Sequence, residues 1–555
     1  MRTIKKFTMF TLLFSTSIFA NNLSVGNVQL VGQDATNNFT FIQFDVSWEN
    51  SWRNDLTGTG QSAPFNYDAI WVFVKYKVQG EAEWKHATLN TSGYTPPTGS
   101  AIDVPSDGKG AFIYRDGNGT GTFSLSAVQL RWNYGVDGIT DDNANVTVKV
   151  FAIEMVYIPT GSFHVGDGTS TDIAGHLHRA DSTSVPFEIT SEFSTYTLGG
   201  TSSSNIGNNN NEGLNIDYPD DFDNSPTTKL LPLLYPKGYD AFYMMKYEIT
   251  QGQYVDFLNC LTRNQQDKRT ATDLSTGMVN VTNRYVMIDP DGSGTSLPGG
   301  SETMIARNSI KCDSTISSSL PITFYCDYND DEIPGDGKDL ACNYLHWLDG
   351  SAYADWAGLR PFTELEFEKA CRGTLTPTVN EYGWGNTSLH SSSYEPIINP
   401  GAPNEVPSSS GTNGNSAYTG TVDFQFGPLR AGIFATGSST RIIAGASYYG
   451  VMELTGNLWE TVVSLGTQEG RDFEGTHGNG VLTNNGEHNI SDWPISLIAN
   501  GQIDKVPGAG FRGGGIGGDF AWPPERLRIS DRMFINVQVN FRALEDGMRL
   551  VRTAP

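Results

Sequence analysis

Positive charge is scarce in this sequence. Its 36 lysines and arginines face 61 aspartates and glutamates, a net charge of −25 over 555 residues. That balance argues against binding nucleic acid through its phosphates and against attachment to an anionic membrane surface. After residue 20 no apolar run reaches the ~18 residues of a membrane span. Cysteine is also rare. Cys260, Cys312, Cys326, Cys342 and Cys371 are the full set, no CxxC occurs, and none follows Cys371. Without CxxC, a zinc ribbon or a thioredoxin-type redox motif is disfavoured. His176 and His178 alternate but have no third ligand nearby, which favours a structural role over a metal site.

What is present begins with a targeting pattern. Arg2, Lys5 and Lys6 precede the apolar run Phe7 to Phe19, and Ala20 suits a cleavage site, so residues 1–20 read as a signal peptide. No cysteine follows the run, so a lipid anchor is not expected. The protein is expected to be exported and soluble, secreted, periplasmic or at the cell surface, where disulfides are permitted. Five cysteines allow at most two bridges within the chain. Cys312 and Cys326 flank a short polar segment. Cys342 and Cys371 bracket two helices that must pack back on each other, and these two are the pair expected to join.

Glycine at 61 residues and aromatics at 11% indicate a loop-rich, β-leaning chain. Residues 21–152 alternate apolar and polar positions from Phe39 to Trp48, Ala69 to Tyr76, Val128 to Trp132 and Val146 to Phe151, with turn clusters between them. This predicts a β-sandwich whose aromatics fill a core. From residue 153 the pattern changes. Glu154 to Gly168 reads as strand, turn and strand. A polar insertion follows near 168–235, and its stretch Gly199 to Pro226 reads as a long surface loop. Tyr239 to Leu261 starts as a strand and becomes a helix at Thr250. Two acidic loops, Asp289 to Gly294 and Asp327 to Asp331, are incomplete calcium-loop patterns. Asp349 to Ala357 reads as a helix ended by Gly358, with Ala352, Tyr353 and Trp356 on one face. Thr363 and Glu366 form a capping box for the next helix.

The stretch Tyr449 to Glu460, YGVMELTGNLWE, brings together two carboxylates and a turn at Gly456-Asn457. Glu453, the carbonyls of Gly456 and Leu458, and Glu460 offer oxygen ligands only, which suits a hard cation such as Ca2+. The same residues also read as a surface turn over a buried Trp459.

Several segments together carry a family likeness: EMVYIPTGSFHVGDG, YEITQGQYVDFLN, the run YLHWLDGSAYADWAGLRPFTELEFEKACRG, EYGWGN, GNLWE, FRGG and DGMRLV, in that order from residue 154 onward. They resemble the formylglycine-generating enzyme family, also called the sulfatase-modifying factor family. The resemblance implies a mixed α+β, loop-rich fold similar to C-type lectin domains over 153–555. It also implies a structural calcium site at Glu453, Gly456, Leu458 and Glu460. In that family two cysteines five residues apart, after RGGSW, bind copper, and with molecular oxygen a sulfatase cysteine becomes formylglycine. Here those positions hold Gly518 and Pro523. Neither ligates copper, so copper is not expected. The expected function is a non-catalytic binding or structural module recognising glycan or protein at the cell surface. The alternatives are an oxidase or sulfatase-modifying enzyme working by another route, and a component resembling gliding-motility or secretion-apparatus proteins.

Overall fold

A computed structural model describes residues 23–55, 63–168, 173–208, 220–222, 227–289, 299–390, 397–419, 427–499, 502–517, 522–536 and 541–555. The signal-peptide segment, most of the Gly199–Pro226 loop, the acidic loop beyond Asp289 and Gly518 lie outside these residues. Sheet dominates and helices are few, an α+β arrangement.

Eight strands lead the chain: β1 (Ser24–Asp34), β2 (Phe39–Arg53), β3 (Asp68–Val78), β4 (Lys85–His86), β5 (Ser100–Asp103), β6 (Ala111–Arg115), β7 (Gly119–Trp132) and β8 (Val146–Ile158). Strands β1, β2 and β7 form one antiparallel sheet. The second sheet has seven strands. It runs from Val551–Thr553 through Phe242–Met245, β8, β3 and β6 to β5, with β4 also paired to β3. The boundary expected at residue 152 therefore falls inside β8, which pairs β3 on one side and Phe242–Met245 on the other.

This continuity explains the composition of β3. Its alternation suggested one buried face, yet residues 68–76 are buried throughout. Ile70, Val72, Val74 and Tyr76 join Ile42, Phe44, Val46 and Trp48 of β2 in one hydrophobic cluster. Ala69, Trp71 and Phe73 point the other way, into the larger core. A strand covered on both faces reads as a near-continuous apolar run, broken in β3 only by the buried Asp68 and Lys75 over residues 68–76.

Four helices matter for the site: α1 (Gln251–Leu258), α2 (Arg263–Lys268), α3 (Trp347–Ala357) and α4 (Glu364–Arg372). Thr250 caps α1 and Thr363 caps α4, each in a full capping box with Gln253 and Glu366 respectively. Helix α3 starts two residues earlier than the sequence suggested, with His346 as its N-cap and Asp349 closing the box, and Gly358 ends it at φ 69°. Every residue of α3 is buried, so it is not a one-faced amphipathic helix. It lies behind β3: Trp71 Nε1 donates to the carbonyl of Ala357 at 2.8 Å, and the Trp356 ring meets Phe73 edge-on at 5.0 Å.

All five cysteines are buried free thiols. In the antiparallel pair Ile310–Cys312 and Phe324–Cys326, Cys312 faces Phe324 and Cys326 faces Ile310. The two cysteines are thus diagonal neighbours, ~7–8 Å apart in such a ladder, too far for a disulfide. Cys342 and Cys371 sit in separate hydrophobic clusters. Packing α3 and α4 into the core separates their outer ends, so the expected bridge is not formed.

Candidate functional site

The GNLWE turn is built on strained backbone. Glu453, Gly456 and Asn457 all have positive φ, at 51°, 80° and 68°. A side chain at Gly456 would strike Ser416 Oγ, so only glycine fits there. Non-glycine residues in this region persist where surroundings over-determine them. Asn457 supplies part of that: its Oδ1 accepts from Leu429 N at 2.9 Å, and its Nδ2 donates to Glu248. Glu248 also accepts from Leu458 N at 3.0 Å. Trp459 and Glu460 then enter the strand Trp459–Val463, which lies between Ala509–Arg512 and Asp546–Gly547.

Three carboxylates therefore surround the turn. Glu460 is fully buried, and both its oxygens accept from Arg549 Nε, at 2.6 and 2.7 Å. Glu248 is fully buried as well. Glu453 Oε1 accepts from Gly432 N at 3.0 Å, while Oε2 is buried without a hydrogen-bond partner among the described residues. Burial pushes the Glu453 carboxyl up to about 7, Arg549 pulls it back, and Glu460 adds to the rise. Burial and then Glu460 drive Glu248 well above the usual carboxylate range.

Three carboxylates meet one guanidinium here, and one carboxylate oxygen has no partner among the described residues. Both oxygens of Glu460 are taken by Arg549, and Glu248, Glu453 and Glu460 do not converge as a three-carboxylate metal cluster. Glu453, Glu460 and the carbonyls of Gly456 and Leu458 are the residues that would hold a cation. Sequence reasoning missed two members of this cluster. Glu248 was legible as the one acid in the apolar run FYMMKYEIT, and Arg549 as the basic residue of DGMRLV.

Elsewhere the candidates resolve into internal pairs. Asp327, Asp330 and Glu332 converge, but Lys311 Nζ lies among them, 2.8 Å from Asp327 and 2.9 Å from Glu332. Arg284 holds Glu332 at 2.7 Å. Lysine occupies the place a cation would take. His178 Nδ1 is 2.7 Å from the Arg179 carbonyl and His176 Nε2 is 3.3 Å from the Thr183 carbonyl, so each ring engages backbone.

At the position of the copper cysteines, Pro523 precedes a single 3-10 turn, Pro524–Leu527. Aromatic rings pack together just before it. Trp522 meets Phe534 at 4.8 Å and Trp459 at 6.4 Å, and its Nε1 donates to Glu545 at 2.7 Å.

Fold and site define a β-rich domain with buried carboxylates and Arg549 packed around the GNLWE turn. Residues 236–554, more than half the chain, match the family described as sulfatase-modifying factor enzyme 1-like domain. The chain belongs to that family. No curated protein matches it. No helix among the described residues is long and apolar enough to cross a membrane.

Proposed function

We propose that this chain is an exported, non-catalytic member of its family, a binding or structural module that recognises glycan or protein at the cell surface. In this reading residues 21–152 form a β-sandwich fused through β8 to the family domain. The observation that carries the reading is Pro523, with Gly518, where copper-binding cysteines are expected. Proline has no side-chain donor for a metal and no redox chemistry. Beside Pro523, Trp522 packs against Trp459 and Phe534, apolar rings that offer no metal ligand.

A calcium ion at the GNLWE turn is part of this proposal. It would take up the free oxygen of Glu453 and tie the turn to the strand behind it, supplying no chemistry beyond charge and geometry. Calcium at about a hundred times its dissociation constant is expected to stabilise the native state by roughly 2.7 kcal/mol. The sign of the pH dependence follows from Glu453. Its folded pKa is raised, so between ~4.5 and about 7 the folded state holds the extra proton and stability falls as pH rises. Calcium needs the ionised form. Its stabilising effect is therefore expected to be larger at pH 8 than at pH 6, and Glu453→Gln is expected to flatten it. Thermal melts with calcium and with chelator at both pH values check this, and a wild-type melt indifferent to both removes the ion from the account.

A further inference from the structure

A cavity of about 770 Å3 opens between β8 and α1, where the leading strands meet the family domain. Val150, Phe151 and Ala152 of β8 line it and are half-buried, which leaves apolar surface facing the space. Gln253 and Asp256 of α1 and Tyr353 of α3 line it too. Gln253 and Asp256 are three residues apart, so they share one face of their helix.

These three side chains have hydrogen-bonding capacity that the protein does not use. Gln253 Oε1 accepts from Thr250 N at 3.0 Å, which orients the amide and leaves its Nε2 without an acceptor among the described residues. The Asp256 side chain is exposed to the cavity and has no partner among the described residues. Tyr353 is 1% exposed and its hydroxyl has no partner among them either, yet that oxygen is not one of the atoms sealed from solvent. A buried hydroxyl left unpaired costs stability.

Asp256 is also poorly placed for stability. It stands in the last turn of α1, where the helix dipole disfavours an anion. Burial raises its carboxyl to about 6, with Lys149 and Lys338 opposing the rise. Three other carboxylates lining the cavity have partners. Glu154 is 3.1 Å from Lys246, Glu248 accepts from Leu458 N at 3.0 Å, and Asp339 lies 3.8 Å from Lys338. Glu49 shares with Asp256 the lack of one among the described residues.

We propose that this cavity binds a neutral sugar, its hydroxyls bonded to Asp256, Tyr353 and Gln253 and its apolar face laid against Phe151. The inference rests on the binding-module reading above and gives that module its glycan site. A hydroxyl both donates and accepts, so neighbouring sugar hydroxyls can meet a carboxylate acceptor, a phenol and an amide donor together. An ammonium group would suit Asp256 but not the Gln253 amide donor, and it would add a cation near Lys149 and Lys338. An anion would be repelled by Asp256. An apolar wall with a few convergent polar groups is the usual make-up of a small-ligand site.

The test applies the labelled full-length protein to an array of neutral, acidic and amino sugars. The best-bound sugar is then titrated calorimetrically into wild type, Asp256→Asn and Tyr353→Phe. Wild type is expected to bind a neutral sugar saturably, and each variant to bind it about tenfold more weakly. Asp256→Asn is expected to melt no lower than wild type, because it removes an unpaired carboxylate; a lower melting temperature would make that carboxylate structural and overturn the proposal. A neutral sugar bound equally by wild type and both variants overturns this site and leaves the binding-module reading standing. Binding of charged sugars alone overturns the neutral ligand. Binding of no sugar overturns the proposal and removes glycan from the broader reading as well.

Discussion

Replacing Arg549 with methionine is expected to destabilise the protein by about 3–5 kcal/mol, the cost of leaving a buried charge without its partner. Arg549 and Glu460 are both 0% exposed, and the guanidinium is the only cation hydrogen-bonded to Glu460 among the described residues. It also reaches the carbonyls of Met245 and Lys246, at 3.3 and 3.4 Å. Those contacts tie the strand Trp459–Val463 to the strand Phe242–Met245 of the seven-stranded sheet. Without Arg549, the carboxylates of Glu460, Glu248 and Glu453 would share one buried space with no guanidinium beside them. The loss should be greatest at pH 8 and smaller near pH 5, where the carboxyls protonate and the uncompensated charge disappears. Urea denaturation at the two pH values measures this. A variant as stable as wild type at pH 8 would mean the pair contributes nothing.

Asp349→Asn should cost a similar amount, about 3–5 kcal/mol, because it strands two buried cations instead of one anion. Asp349 is 0% exposed within α3. Its Oδ1 accepts from Arg269 at 3.1 Å and Arg542 at 2.9 Å, and Oδ2 accepts from Arg542 at 2.7 Å. Burial opposes ionisation, but Arg542, His346 and Arg269 together hold the carboxyl well below the usual range. The folded pKa is depressed. The stabilisation is therefore complete above the unfolded value of ~3.9 and is lost as pH falls toward the folded one. Wild type should lose stability below about pH 4, and Asp349→Asn should show a shallower acid slope on a lower plateau. Equal acid slopes in the two proteins would contradict this account of Asp349.

These two clusters show what a sequence conceals. Local devices were legible: the Thr363/Glu366 box, the start of α1 at Thr250 and the alternation of β2 each depend on residues within one turn or one strand. Long-range partners were not. Glu460 and Arg549 lie 89 residues apart, and Asp349 and Arg542 lie 193 apart. Nothing in their spacing announces the contact. The boundary near residue 152 followed a real change of composition, but β8 continues through it because each half of the strand finds a partner in the same sheet. The cysteines misled because spacing along the chain says nothing of strand register. A shift of two residues in Cys312 and Cys326 is enough to prevent a bridge.

The central claim is that a family fold persists here without the family's copper-dependent oxidation. The most direct test incubates the purified full-length protein with a cysteine-containing sulfatase-type peptide, copper and oxygen, and follows the peptide by mass spectrometry. The account predicts that the peptide keeps its cysteine, with or without copper, because Gly518 and Pro523 offer no thiolate where the metal would bind. Copper-dependent conversion of that cysteine to formylglycine would contradict it.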